Sequence, residues 1–149
     1  MAIRSKVNSR VNKDLVGQLK AIPLFSACTD RELASIGQYL KEVDYPAGRQ
    51  IMRAGESGSG LDIILDGEVR VVVGDHEEKR LGPGAFFGEI ALLDRGPRTA
   101  TVVAETPVRA LSLSSWNFRG ALKAHPGMAI KMLEEMARRI RAADASLAD

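Results

Sequence analysis

Apolar positions recur with two different periods along this chain, and the switches between them divide it. From about Asn12, Leu15, Val16 and Leu19 fall on one helical face that Ile22 continues, until Pro23 stops the pattern. Leu24-Phe25 is a short apolar plug, and Thr29-Asp30-Arg31-Glu32 reads as a capping box opening a second helix with Leu33, Ile36 and Leu40 on one side. At Val43 the period drops to two. Strands are predicted at 43–45, 50–53, 61–65, 68–73, 101–104 and 108–113, separated by clusters such as Pro46-Ala47-Gly48 and Gly82-Pro83-Gly84. Asp66-Gly67 reads as a tight turn pairing the 61–65 and 68–73 strands, and Glu56 to Gly60 as a hairpin loop. Helical spacing then returns. Ser114 or Ser115 caps a helix over 116–124, His125-Pro126-Gly127 breaks it, and a last helix runs over about 128–147. On that helix Ile130, Leu133, Met136, Ala137 and Ile140 form one apolar stripe, with Arg138, Arg139 and Arg141 on the polar side. Many short strands with turns between them predict an antiparallel sandwich or barrel flanked by helices.

Composition changes this picture little. A chain of 149 residues with 45% hydrophobic and 27% charged residues suits one ordinary globular domain with a sizeable core. The net charge of +2 is too small to argue for nucleic acid. No apolar run approaches the roughly 20 residues of a membrane helix, and the basic start (Arg4, Lys6, Arg10) has no apolar segment after it. Residues 1–11 are therefore expected to be a basic, solvated tail or the start of a helix. Cys28 is the single cysteine, which allows no internal disulfide and agrees with a reducing, cytoplasmic setting.

The chemistry concentrates in Phe86 to Val103, FFGEIALLDRGPRTATVV. Glu89 stands alone in an apolar run, where a charge is costly unless paired or hydrogen-bonded. Gly96 and Pro97 bend the chain so that Arg98 can return towards it. Glu89 to Leu93 can form one helical turn whose free amides, with Gly88 permitting close approach, offer a small anion site. A guanidinium matches phosphate oxygens with a two-pronged fork, and an ionised carboxylate accepts a hydroxyl. A ligand with a phosphate beside a sugar hydroxyl would satisfy both. The alternative is a buried Glu89–Arg98 ion pair that binds nothing.

The run Phe87-Gly88-Glu89-Ile90-Ala91-Leu92-Leu93, followed by Pro97-Arg98-Thr99-Ala100-Thr101-Val102, closely resembles the phosphate-binding cassette of cyclic-nucleotide-binding domains. The lead-in AIPLFSACTDRELASIGQYL and the two C-terminal helices resemble the same family. The resemblance implies an eight-stranded antiparallel β-jelly roll with a helical lead-in (12–41), a β-roll (42–113) holding the cassette (86–103), and hinge and lid helices (114–149). It implies that Arg98 takes the cyclic phosphate of cAMP or cGMP with amides near Ile90, Ala91, Thr99 and Ala100, and that Glu89 with the Gly88 backbone takes the ribose 2′-hydroxyl. Val71 or Val73 would touch sugar or base, although each also suits a plain core position. The lid would cap the base with Met132, Met136 or one of the arginines. Thr99 after the arginine accompanies cGMP in parts of the family, while bacterial-looking cassettes use Ser or Thr there with cAMP; cAMP is favoured and cGMP left open. Asp62 departs from the pattern, since related sequences commonly carry an aromatic there. Whether it weakens base packing or faces solvent stays open.

Other functions find little support. Metal enzymes on a jelly roll need clustered ligands, and only His76 and His125 are present, with no Ser or Cys partner at a recognised motif. No helix-turn-helix or kinase signature follows, so the expectation is a sensor with no cofactor beyond its cyclic nucleotide, acting on a protein partner or a fused effector. The second reading is a ligand-free module of the same fold that dimerises or binds protein, pairing through the apolar stripe of the last helix.

Overall fold

The computed structural model describes residues 3–4, 9–56, 60–74, 77–94, 96–98 and 100–148. The lead-in carries strand β1 (Ile3–Arg4), helix α1 (Ser9–Lys20), a 3-10 turn over Pro23–Phe25 and helix α2 (Asp30–Gly37). Thr29 Oγ1 accepts from the Glu32 amide at 3.2 Å, and the Thr29 amide donates to Glu32 Oε1 at 2.8 Å, so the capping box forms as read. The β-roll follows as β2 (Lys41–Tyr45), β3 (Gln50–Met52), β4 (Gly60–Asp66), β5 (Val69–Val73), β6 (Glu77–Leu81), β7 (Phe86–Phe87), a 3-10 turn over Glu89–Leu92, β8 (Ala100–Ala104) and β9 (Val108–Ser114). Helices α3 (Ser115–Ala124), capped by Ser114 accepting from the Asn117 amide at 3.1 Å, and α4 (Pro126–Ala148) end it.

The strands form two antiparallel sheets, ordered β1-β2-β9-β4-β7 and β3-β8-β5-β6. The eight strands β2 to β9 are the expected jelly roll. Three expectations change. Ile3–Arg4, placed in a polar tail, extends the first sheet at Val43 and Glu42. Strands β4 and β5 are not partners, and the Glu56–Gly60 connection likewise joins different sheets, although 57–59 lie outside the described residues. The physical reason is a corner at Gly67. Its φ of +92° lets the chain turn where an added Cβ would lie 2.2 Å from the Pro107 carbonyl oxygen. The tight turn therefore hands the chain from one sheet to the other, and β5 pairs instead with β6 and β8.

Two apolar clusters hold these layers together. Leu61, Ile63, Leu111 and Leu113 of the first sheet pack under Leu19, Phe25, Leu33, Phe118 and Met128 of the helices. Ile64, Val69, Phe87, Val102 and Ala104 fill the space between the sheets. Of the expected stripe on α4 only Met136 packs inward, against the core that the buried Met128 and Met132 join, while Ile130, Leu133 and Ile140 are exposed. Two polar contacts tie α4 and its entry to α2, Lys131 Nζ to Glu32 Oε1 at 2.7 Å and His125 Nε2 with Ser35 Oγ at 2.8 Å. The Lys131 bond and the capping interaction hold the Glu32 carboxyl below its ordinary range.

Candidate functional site

The Glu89–Leu92 turn begins where β7 ends, and Gly88 makes that junction possible. Its φ is +88°, and a Cβ there would lie 2.4 Å from the Gly60 carbonyl oxygen and 2.6 Å from Arg98 Nη1. Ala91 closes the turn by donating its amide to the Gly88 carbonyl at 3.1 Å. Leu92 is buried in the helical core, which ties the turn to Phe118 of α3. Leu93 is exposed.

Arg98 is fixed at both ends. Its amide donates to the Glu56 carbonyl at 2.7 Å, and its carbonyl accepts from the Gly55 amide at 2.8 Å. Its guanidinium donates from Nη2 to the Gly60 carbonyl at 3.2 Å and from Nη1 to Met52 Sδ at 2.8 Å, bridging the two sheets. Burial lowers its pKa, with Asp62 and Tyr45 acting in the opposite direction. Among the described residues no carboxylate lies within ion-pair distance of Arg98, so the ion pair with Glu89 weighed from the sequence does not form.

Arg98 and Glu89 open on the same cavity of about 420 Å³, within the roughly 300–1,000 Å³ common for small-molecule sites. Gly88, Ala91, Ala100 and Val71 line it too. Val73 shares a face with Val71 but stands outside this lining, 48% exposed. Thr99 lies outside the described residues, as does His76, and of Ile90 only the backbone is described. The apolar wall comes from Val71, Leu81, Phe86 and Val102, with Lys79 beside them directly across from Val71. Lys79 and Leu81 were missed from the sequence because Glu77-Glu78-Lys79-Arg80-Leu81 holds one apolar position among four charged ones and so shows no period-two pattern. Among the described residues, no lining comes from α3 or α4. Met132, expected as a base cap, is packed in the helical core instead, because its face of α4 meets the lead-in.

Asp62 is half-buried and hydrogen-bonded. Leu61 and Ile63 join the helical-side core, so Asp62 points to the other face, between the sheets. It accepts from Ser112 Oγ and from the Tyr45 hydroxyl, the latter at 3.4 Å. Burial pushes its carboxyl pKa up, against the pull of Ser112, Arg98 and Tyr45, and Tyr45 itself is pushed up to about 12. Among the described residues no three His, Cys, Asp or Glu side chains gather to hold a metal, and no helix is long and apolar enough to cross a membrane.

Comparison with known proteins agrees with this geometry. The sequence profile described as "Cyclic nucleotide-binding domain" matches residues 42–125. A CRP-like cAMP-activated global transcriptional regulator of Mycobacterium tuberculosis is 33% identical over 131 residues, covering 85% of this chain and 58% of that protein. A cyclic nucleotide-gated potassium channel of Mesorhizobium japonicum is 41% identical over 109 residues, covering 73% of this chain and 30% of that protein. The chain thus spans less than two thirds of either relative. The crystal structure of the N-terminal domain of a Streptomyces coelicolor A3(2) transcriptional regulator superposes with a TM-score of 0.77 at 32% identity, covering 89% of this chain and 95% of that one. The matched segment takes in both sheets of the roll, the Glu89–Leu92 turn, Arg98 and the cavity they share: this chain belongs to the cyclic nucleotide-binding domain family.

Proposed function

We propose that this chain is a regulatory sensor module that binds cAMP or cGMP in the β-roll cavity and signals through its C-terminal helices to a protein partner or fused effector. The observation that carries the reading is Arg98. Its backbone is pinned by Gly55 and Glu56, and its guanidinium meets a cavity with apolar walls without a carboxylate partner among the described residues. A fixed cation at the edge of an apolar pocket is built for a small anion with an apolar body. Arg98 neutralises the cyclic phosphate, helped by amides near Ile90, Ala91, Thr99 and Ala100, the Ala91 amide being shared with the Gly88 carbonyl. Glu89, also lining the cavity, accepts the ribose 2′-hydroxyl beside the Gly88 backbone. Val71 supports the sugar or base, while Val73 needs a closing movement to reach it.

Signal transfer follows from how the turn is packed. Leu92 is buried against the same core as Phe118 and Met128, so tightening of the turn on a phosphate moves the floor on which α3 and α4 rest. Closure of α4 over the cavity then requires release of Met132 and of the Lys131–Glu32 contact. The ligand drives it only as far as it binds the closed state better. Arg98→Ala should weaken cyclic-nucleotide binding about 10-fold to 100-fold, the loss of charge-assisted bonds of about 1.5–3 kcal/mol. Glu89→Ala should erase discrimination against a 2′-deoxy cyclic nucleotide. Binding by Arg98→Ala as tight as the parent's sinks the site assignment.

The exposed Ile130, Leu133 and Ile140 favour a companion reading, pairing of α4 with its copy, since they and Ala137 repeat every three or four residues. A module that only dimerises, without ligand, would keep this face and ignore cyclic nucleotide.

A further inference from the structure

Resting on the reading of Arg98 as the phosphate partner, we propose that Asp62 is coupled to it across the gap between the sheets: without forming an ion pair, the carboxylate faces the charge of the guanidinium that Gly60 and Met52 hold, and takes up a proton when an anion binds at the cavity edge. The placement comes from the strand. Gly60 gives its carbonyl to Arg98 Nη2 at 3.2 Å, and Asp62, two residues on, projects between the sheets from the same β4 backbone. Met52 on the opposite sheet meets the other guanidinium nitrogen at 2.8 Å. Arg98 therefore spans the gap between the sheets, and Asp62 is the carboxylate it feels there.

The groups facing Asp62 come from three elements. Strand β2 presents the Tyr45 hydroxyl, which Arg49 in turn influences, and β9 presents only the neutral Ser112 hydroxyl. The segment before β8 presents Arg98, while β7 pairs Phe87 opposite Asp62 and offers no ionisable group. Glu89 and Asp94 are the carboxylates that line the cavity itself; Asp62 lies behind Arg98 and not on that wall. Arg98 is thus the one cation among the described residues that favours an ionised Asp62. When a phosphate monoanion neutralises Arg98, that support is withdrawn and the new negative charge adds repulsion. The carboxylate then accepts one proton from solvent, and Ser112 can turn its hydroxyl to accept the resulting O–H. No other bond forms or breaks.

The sign follows directly. The carboxyl pKa rises further in the complex, so between the free and bound values binding consumes a proton. Affinity is highest at low pH and falls as pH rises through that window, by at most about tenfold per pH unit for one proton. An aromatic at this position would give no such dependence.

Two arms test this. Carboxyl NMR of the ligand-free protein should show Asp62 titrating above the ordinary aspartate range, and higher still in Arg98→Gln. An Asp62 titration unmoved by Arg98→Gln overturns the coupling, whatever the protein binds. In the second arm, cAMP and cGMP are titrated calorimetrically across the window so located, in buffers of different ionisation enthalpy. The parent should bind more weakly as pH rises and take up protons. Asp62→Asn should bind with neither slope nor uptake, and Ser112→Ala should shift the window upward by removing a bond that favours the charged form. An unchanged slope in Asp62→Asn overturns the proposal; histidines, shared by both proteins, cannot mask it. A parent that binds neither nucleotide at any pH refutes the proposed function instead, and the NMR arm then decides the Asp62–Arg98 coupling alone.

Discussion

Gly88→Ala and Gly84→Ala make a matched pair. The two glycines have nearly the same backbone conformation, φ of +88° and +89°. Around Gly84 a new Cβ meets nothing within 4 Å, whereas at Gly88 it meets the Gly60 carbonyl oxygen at 2.4 Å and Arg98 Nη1 at 2.6 Å. Alanine in this left-handed region costs about 1–2 kcal/mol at either position. At Gly88 a further penalty of about 1–3 kcal/mol follows from forcing a methyl against backbone that cannot swing away. The expected losses are therefore about 1–2 kcal/mol for Gly84→Ala and about 2–5 kcal/mol for Gly88→Ala. For a domain of this size a kcal/mol moves the melting temperature by roughly 2–4 °C. Thermal melts followed by circular dichroism should separate the two variants clearly. The Gly88 variant should also lose cyclic-nucleotide binding, because the methyl displaces the guanidinium. Equal melting losses would refute the claim that β7 passes this close to Gly60 and Arg98.

Three further outcomes follow from other contacts. Glu32→Gln removes the Lys131 ion pair, at a cost of about 0.5–1 kcal/mol. Because the folded carboxyl pKa is depressed, that stability is present above the unfolded value and lost as pH falls through the folded one, so parent and variant should converge in acid melts; a gap that persists at low pH contradicts the assignment. Lys79→Met, on the cavity wall opposite Val71, removes a donor that both purines can meet at N7 and guanine also at O6, so competition assays should show cGMP losing more than cAMP; equal losses contradict contact with the base edge. Leu133→Glu, at a site 69% exposed, should leave the melting temperature within a few degrees while abolishing any dimer in sedimentation; a dimer that survives places the interface elsewhere.

Local chemistry was legible in the residues. The Thr29–Glu32 capping box is complete within four positions and formed as read. The β-branched alternation of Val69, Val71 and Val73 marked its strand. The jelly roll came through the cassette, whose spacing carries more information than any single strand. Partnerships between distant segments were less visible. Asp66-Gly67 is a good turn signal, yet nothing local says whether a turn returns the chain to its own sheet or lifts it to the next; that depends on Pro107 across the corner. On α4 spacing locates the apolar positions, while the lead-in decides which are covered, so Met136 packs inward and Ile130, Leu133 and Ile140 stay exposed. Asp62 could not be placed from sequence, since its partners Tyr45, Ser112 and Arg98 lie 17 to 50 residues away. The pairing of Glu89 with Arg98 failed for a related reason. Arg98 found the Gly60 carbonyl and Met52, and Glu89 was left facing the cavity.

Arg98, Glu89 and the cavity between them are proposed to receive a cyclic nucleotide. Calorimetric titration of the unmodified protein with cAMP and with cGMP, using 5′-AMP and 5′-GMP as controls, tests it most directly. Saturable binding of at least one cyclic nucleotide is expected at about micromolar affinity or tighter, near −8 kcal/mol, with the linear monophosphates much weaker. No heat and no rise in melting temperature with either cyclic nucleotide would contradict it, and would leave the exposed face of α4 as the functional surface.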